Sequence, residues 1–163
     1  MSALLEVRDL TTHFFTRAGV VKAVDGVSFD LGAGEILGLV GESGSGKSMT
    51  GYSLLGLIDA PGRIVAGSVK LAGRELIGLP NAELRKLRGR KMAMVFQDPL
   101  TTLNPVLTIA AQIRLAIEAH ERVSEKAARA RAVDVLNRVG IPDVAHRLDH
   151  FPHQFSGGMR QRV

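Results

Sequence analysis

Apolar and polar residues alternate loosely over residues 4–15, which predicts a first strand. Two further short strands are predicted over 20–24 and 27–31, joined by a tight turn at Asp25-Gly26. Gly32-Ala33-Gly34 then breaks the rhythm. Residues 35–40, Glu-Ile-Leu-Gly-Leu-Val, form a short apolar run of the kind that makes a strand buried on both faces. Beyond Lys47 the spacing becomes helical, with Leu54, Leu57 and Ile58 on one face and glycines that weaken the helix only a little. Pro61-Gly62 closes that helix region.

The second half changes rhythm again. Residues 65–71 predict a strand closed by Ala72-Gly73. Asn81–Leu87 predicts a short, basic, amphipathic helix with Leu84 and Leu87 on one side, and 92–96 a short apolar strand. Residues 108–120 predict a helix with Thr108 as N-cap and Ile109, Ile113, Ala116 and Ile117 on one face. Residues 124–139 predict another. Ser124 caps it, Ala132, Val135, Leu136 and Val139 form its apolar side, and Gly140 stops it. A strand-rich opening followed by two consecutive helices predicts an α/β protein with a helical insertion.

Within this pattern one stretch carries chemistry. Gly41-Glu42-Ser43-Gly44-Ser45-Gly46-Lys47-Ser48 fits G-x-x-x-x-G-K-[ST], the phosphate-binding loop of nucleoside triphosphatases. Glycines let the backbone curl so that its amides form an anion-binding nest. Lys47 adds a point charge for the β- and γ-phosphates, and the Ser48 hydroxyl suits Mg²⁺, a hard cation that prefers oxygen. The predicted order of strand, loop and helix is the required one, and the helix dipole favours an anion at its N-terminus.

Other candidates surround the loop. Residues 96–105 contain two prolines and many polar groups, which predicts a loop at the end of a strand. In open parallel sheets ligands sit beyond the carboxyl ends of strands, so Gln97 and Asp98 fall where a nucleotide would be. Asp98 after an apolar strand also has the look of an Mg²⁺-holding acid, or of a cap before Pro99. Phe14 and Phe15 offer a ring to stack on adenine, or pack in the core. Ser156-Gly157-Gly158 ahead of a polar run offers a hydroxyl and open amides at a helix start, a second anion site or an ordinary cap.

Composition narrows the classes. The chain has 163 residues, 45% hydrophobic and 23% charged, in keeping with one domain. It has no cysteine, hence no disulfide framework and no thiolate metal site. No apolar run approaches the ~20 residues that cross a bilayer, and the N-terminus is charged too early for a signal peptide. The net charge of +5 raises nucleic-acid binding as a function. However, the basic run 85–91 is helical in pattern and carries no interleaved aromatics, so a solvated face is expected and no nucleic-acid partner. His146, His150 and His153 invite a metal, but Pro152 breaks any helix that would gather them.

Taken together, these residues resemble the ATP-binding subunits of ATP-binding-cassette transporters. Gly41 to Ser48 matches the Walker A loop, and Gln97 the Q-loop glutamine. Phe155-Ser156-Gly157-Gly158-Met159 matches the signature LSGGQ, with Phe for Leu and Met for Gln. Phe96-Gln97-Asp98-Pro99, Leu103-Asn104-Pro105 and Phe151-Pro152-His153-Gln154 further resemble the dipeptide, oligopeptide and nickel importer branch, with Phe151 where that branch usually has Tyr. The resemblance runs over essentially the whole chain. It implies a P-loop NTPase fold with an N-terminal antiparallel β subdomain and a helical insertion, incomplete at the C-terminus. Residues 1–95 would hold the β subdomain and P-loop core, and 96–163 the Q-loop, helical subdomain and signature.

The same resemblance implies roles. Gly41, Glu42, Ser43, Gly44, Ser45, Gly46, Lys47 and Ser48 would bind ATP, with Phe14 stacking on adenine and Phe15 its alternate. Gln97 would contact Mg²⁺ and the attacking water, displacing Asp98 from the acidic role. Ser156, Gly157 and Gly158 would act in trans on the γ-phosphate held by a second subunit in a head-to-tail dimer. Implied partners are integral membrane permeases, a second ATP-binding subunit and, indirectly, a solute-binding protein, at the cytoplasmic face of the membrane. None of the sixteen Asp and Glu residues follows an apolar strand as Asp-Glu, the family's source of the general base. The D-loop and switch histidine are also expected to be missing. Two readings follow: an ATPase subunit that energises uptake of peptides or nickel, or a module that binds ATP without turnover. A weaker third is a cassette protein acting on DNA or ribosomes. Because the 35–40 strand needs neighbours on both sides, the isolated chain is expected to be poorly stable and aggregation-prone.

Overall fold

A computed structural model of the chain describes residues 3–96 and 102–163. The chain divides into two compact units, Met1–Met94 and Val95–Val163.

The first unit is built on an antiparallel sheet of four strands, β1 (Leu5–Thr16), β2 (Gly19–Leu31), β3 (Gly62–Leu71) and β4 (Arg74–Glu75), in the order β2-β1-β3-β4. β1 lies in the middle, pairing with β2 from Leu5↔Leu31 to Thr16↔Gly19 and with β3 from Leu5↔Leu71 to Phe14↔Gly62. Asp25-Gly26 therefore does not join two strands. It lies inside one continuous β2, opposite a stretch of β1 where the register shifts between Leu10 and Thr12. Gly26, at φ 68°, donates its N–H to the Thr11 hydroxyl at 3.1 Å. A bulge and a hairpin turn demand the same positive φ, so the dipeptide serves either. Val7, Leu10, Val24, Val69, Leu76 and Leu84 form the core on one side of this sheet.

Two helices pack there, α1 (Lys47–Leu54) and α2 (Asn81–Leu87). α1 is shorter than its apolar spacing predicts. Gly56, at φ 61°, reverses the chain, with Leu57 N–H donating to the Tyr52 carbonyl at 2.8 Å and Gly56 N–H to that of Ser53 at 3.0 Å. This is a Schellman cap, so Leu57 and Ile58 lie beyond the helix. A Cβ at Gly56 would also meet Leu84 Cδ1 at 2.8 Å, which leaves glycine as the residue that fits both the turn and the packing.

The two apolar runs predicted as strands at 35–40 and 92–96 are not in a ladder. Ile36 is 96% exposed, Val40 91% and Val95 96%. Met92 makes only an isolated parallel bridge to Arg88. A parallel strand is stable only between neighbours that take its amides and cover both faces. No described strand pairs with either run.

The second unit is helical: α3 (Ile109–Glu118), α4 (Glu125–Arg138), the single turn α5 (Val144–Arg147), a 3-10 turn at Pro152–Gln154 and α6 (Gly157–Arg160). The predicted caps are present. Thr108 accepts the Ala111 amide at 3.2 Å and Ser124 that of Ala127 at 3.3 Å. Ile109, Ala132, Leu136, Ile141, Val144, Leu148, Phe155 and Met159 form one core. α4 buries Ala128, Ala132 and Leu136, a line at four-residue spacing, while Val135 and Val139 are exposed. Ala132 and Leu136 are thus buried as predicted, and Ala128, one turn earlier, takes the third buried place instead of the two valines. The amides of Ile109 and Ala110 donate to the carbonyls of His150 (3.0 Å) and Leu148 (2.8 Å), and Arg129 grips Asp149 through two bonds of 2.7 and 2.6 Å. Among the described residues no helix is long and apolar enough to cross a membrane.

Candidate functional site

The loop Gly41 to Ser48 enters the N-terminus of α1. Its seat is β2: Gly46, at φ 91° and ψ 3°, is the N-cap, and a Cβ there would overlap the Ala23 carbonyl oxygen. Because the cap is glycine, no side chain takes up the first amides of the helix. Ser45 N–H donates to the Glu42 carbonyl at 3.2 Å, curling the loop with Ser43 and Gly44 at its exposed crest. Lys47 folds back across the curl. Its Nζ donates to the carbonyls of Gly41 (2.7 Å) and Glu42 (2.6 Å) and to Ser45 Oγ (3.3 Å). Ser48 is exposed on the first turn. The result is a concave run of backbone with a cation fixed against it, a donor set that suits a phosphate.

The helix is fixed to the sheet as well. Ser53 Oγ donates to the Met49 carbonyl at 2.7 Å and lies 2.8 Å from Thr12 Oγ1 of β1, both side chains buried. Sequence spacing carries no signal for this pair, because Ser53 sits among apolar residues and Thr12 is 41 positions away.

The two aromatics near the loop have different surroundings. Phe14 is half-buried, its ring against Gly62, on the strand that also offers Thr12 to α1. Phe15 is 39% exposed, with the Arg63 guanidinium 4.3 Å over its ring and the His13 ring 6.3 Å away. Arg63 therefore already occupies one face of Phe15 as a cation–π partner. Gln97 and its rival Asp98 lie outside the described residues.

In the second unit Ser156 is the N-cap of α6 and its Oγ accepts the Met159 amide at 3.3 Å. Phe155 and Met159 are buried in the helical core, and Ser156, Gly157 and Gly158 between them are exposed. Arg162 was visible in the sequence only as part of a polar run. Its guanidinium donates to the carbonyls of Gly140 (2.8 Å) and Gly158 (3.3 Å), tying this turn to the end of α4. The histidines are dispersed in role. His146 meets Asp143 at 3.0 Å, His150 faces the Phe155 ring edge-on, and His153 stacks on Phe151. Among the described residues no group of three or more His, Cys, Asp or Glu gathers for a metal.

Comparison with known proteins places this architecture. The chain is 48% identical over 161 residues to the dipeptide transport ATP-binding protein DppD of Escherichia coli, covering 99% of this chain and 49% of that protein. It is 52% identical over 160 residues to a putative peptide import ATP-binding protein of Brucella abortus, covering 98% and 48%. With the oligopeptide transport ATP-binding protein OppD of Haemophilus influenzae it shares 47% over 163 residues, covering 100% and 50%. The chain thus spans about half the length of the curated relatives it matches. Among solved structures, the dimeric bacterial ABC transporter cassette MJ0796 superposes with a TM-score of 0.81 at 27% identity, over 97% of this chain and 66% of that one. A dimeric post-hydrolysis state of the same cassette, bound to ADP and Pi, superposes with a TM-score of 0.78 at 26% identity. The sheet and helices are therefore those of an ABC ATPase cassette, an α/β fold of the P-loop type. The family model described as ABC transporter matches residues 24–163, and the chain belongs to that family.

Proposed function

We propose that this chain forms the nucleotide-binding part of an ATP-binding subunit that energises peptide import. One observation carries the reading: Lys47 clipped to the Gly41 and Glu42 carbonyls at a helix start that no side chain caps. The amides of residues 41–48 and the Lys47 ammonium would hold the phosphates of ATP. Ser48 would give its hydroxyl oxygen to Mg²⁺, which when bound neutralises charge on the transferred phosphoryl group. Phe14 would take the adenine and Gln97 would orient the attacking water. Ser156, Gly157 and Gly158 would meet the γ-phosphate held by a second ATP-binding subunit. In this reading residues 1–95 are the β subdomain and P-loop core, and 96–163 the Q-loop, helical and signature part. The subunit would lie peripherally at the cytoplasmic face of the membrane, on integral permeases served by a solute-binding protein.

A second reading is a module that binds ATP without turnover. Within residues 1–163 no Asp-Glu follows an apolar run, so these residues offer no base of that type for the attacking water. Titration with MgATP tests both. Lys47→Ala is expected to abolish binding, and an unchanged affinity would sink the phosphate-loop assignment. The 163-residue chain alone is expected to show no turnover. Hydrolysis above background that depends on Lys47 would rule out the second reading and turn attention to Asp98.

A further inference from the structure

α1 carries Lys47 and Ser48 at one end, so whatever holds its other end also holds the loop. The last carbonyls of a helix have no donor within it. At the C-terminus of α1 the amides of Gly56 and Leu57 serve the carbonyls of Ser53 and Tyr52. The carbonyls of Leu55 and Gly56, just past the helix, are both taken by one side chain. Arg88 donates from Nε to Leu55 O at 2.7 Å and from Nη2 to Gly56 O at 2.7 Å, while Nη1 donates to Asn81 Oδ1 at 3.0 Å. All three bonds use the rigid fork of one guanidinium. Arg88 is itself fixed, since its N–H donates to the Leu84 carbonyl at 2.9 Å at the end of α2. Its neighbours Arg85 and Lys86 in the same basic run are exposed.

We infer that Arg88 is a positioning residue for the phosphate-binding loop. This rests on the reading that the loop binds nucleotide. α1 has eight residues, about 12 Å of helix, so a tilt at its C-terminus is felt at Lys47. Three ties define its axis: Gly46 against Ala23 at the start, Ser53 against Thr12 near the end, and Arg88 beyond the end. The charge acts in the same direction. A cation at the C-terminus stabilises the helix dipole, whose positive end faces the loop.

The test is MgATP titration of the full chain, with amide hydrogen exchange of α1 as a second readout. Arg88→Ala is expected to weaken MgATP about tenfold and to speed exchange of the α1 amides while those of β1 and β3 stay slow. Arg88→Lys keeps the charge but reaches fewer carbonyls, and a loss of about threefold is expected, a partial rescue that bulk loss of stability would not produce. Arg85→Ala, one helical turn away in the same basic run, is expected to bind as wild type. If Lys47→Ala abolishes binding while Arg88→Ala and Arg88→Lys bind as wild type with unchanged α1 exchange, the inference is overturned and the nucleotide reading stands. If wild type itself fails to bind MgATP, both fall. Should Arg88→Ala not fold, Arg88→Lys decides by the same criteria.

Discussion

Serine and glycine open a helix at two places in this chain, and the two turns work differently. At residues 41–48 the cap is Gly46, so the amides of α1 stay open, and Lys47 supplies a cation held by the loop's own carbonyls. At residues 156–158 the cap is Ser156, whose hydroxyl already accepts the Met159 amide. The first turn leads into two turns of helix tied to the sheet. The second leads into a single turn held by its own buried Met159, by buried Phe155 before it and by Arg162 after it. The same residue types thus make a self-contained curl with uncapped amides in one case and an exposed edge in the other. That contrast fits the proposal that the first holds a nucleotide and the second touches one held elsewhere.

Substitutions can break this comparison. The largest effect is expected at Gly46→Ala. At φ 91° a Cβ strains the backbone by about 1–3 kcal/mol and overlaps the Ala23 carbonyl oxygen, so MgATP binding should be lost in titration. Binding at wild-type affinity would show that the loop does not depend on its seat on β2. Ser156→Ala should behave differently, lowering stability by about 1 kcal/mol in urea unfolding through loss of the cap, with MgATP affinity of the single chain unchanged. A fall in that affinity would mean the two turns act on one nucleotide in cis.

The smallest expected effect is of pH, and it compares the two units through one carboxylate each. Burial pushes the Glu75 carboxyl up, but the Ser68 hydroxyl and the amides of Val69, Ile77 and Leu76 outweigh it and hold it below the usual range. Asp149 is held low by hydrogen bonds from Arg129, against desolvation. Each carboxyl has a lower pKa folded than unfolded, so its stabilisation is present above the ordinary carboxylate range. It is lost as pH falls through the folded value. Hydrogen exchange between neutral and acid pH should show Glu75→Gln flattening the acid loss in the sheet unit and Asp149→Asn in the helical unit. An acid limb unchanged by both would remove these carboxylates from the account.

Legibility in the sequence followed the range of the interaction. Thr108 and Ser124 were readable as caps because each accepts an amide three residues on, and α2 was readable because its apolar residues share one turn. The limits of β2 and α1 were not, because a positive φ at Gly26 or Gly56 leaves open what it is used for. Partners decided. Gly26 lies opposite shifted pairs of β1, and Gly56 has Leu84 against it. On α4, Ala132 and Leu136 were readable as core, but Ala128 rather than Val135 or Val139 joins them, because valine and alanine are both apolar and only the neighbouring core chooses between them.

By itself, then, the sequence determined what local chemistry determines: the helix starts, the α/β class, and a phosphate-type loop whose glycines and lysine suit one curl of backbone. Tertiary structure decided what depends on distant partners. It seated Gly46 on Ala23, paired Ser53 with Thr12, and took Arg88 out of a basic run to cap α1. It also left the runs at 35–40 and 92–96 outside any ladder, because extended backbone carries its hydrogen-bonding groups sideways and becomes a strand only when another strand receives them.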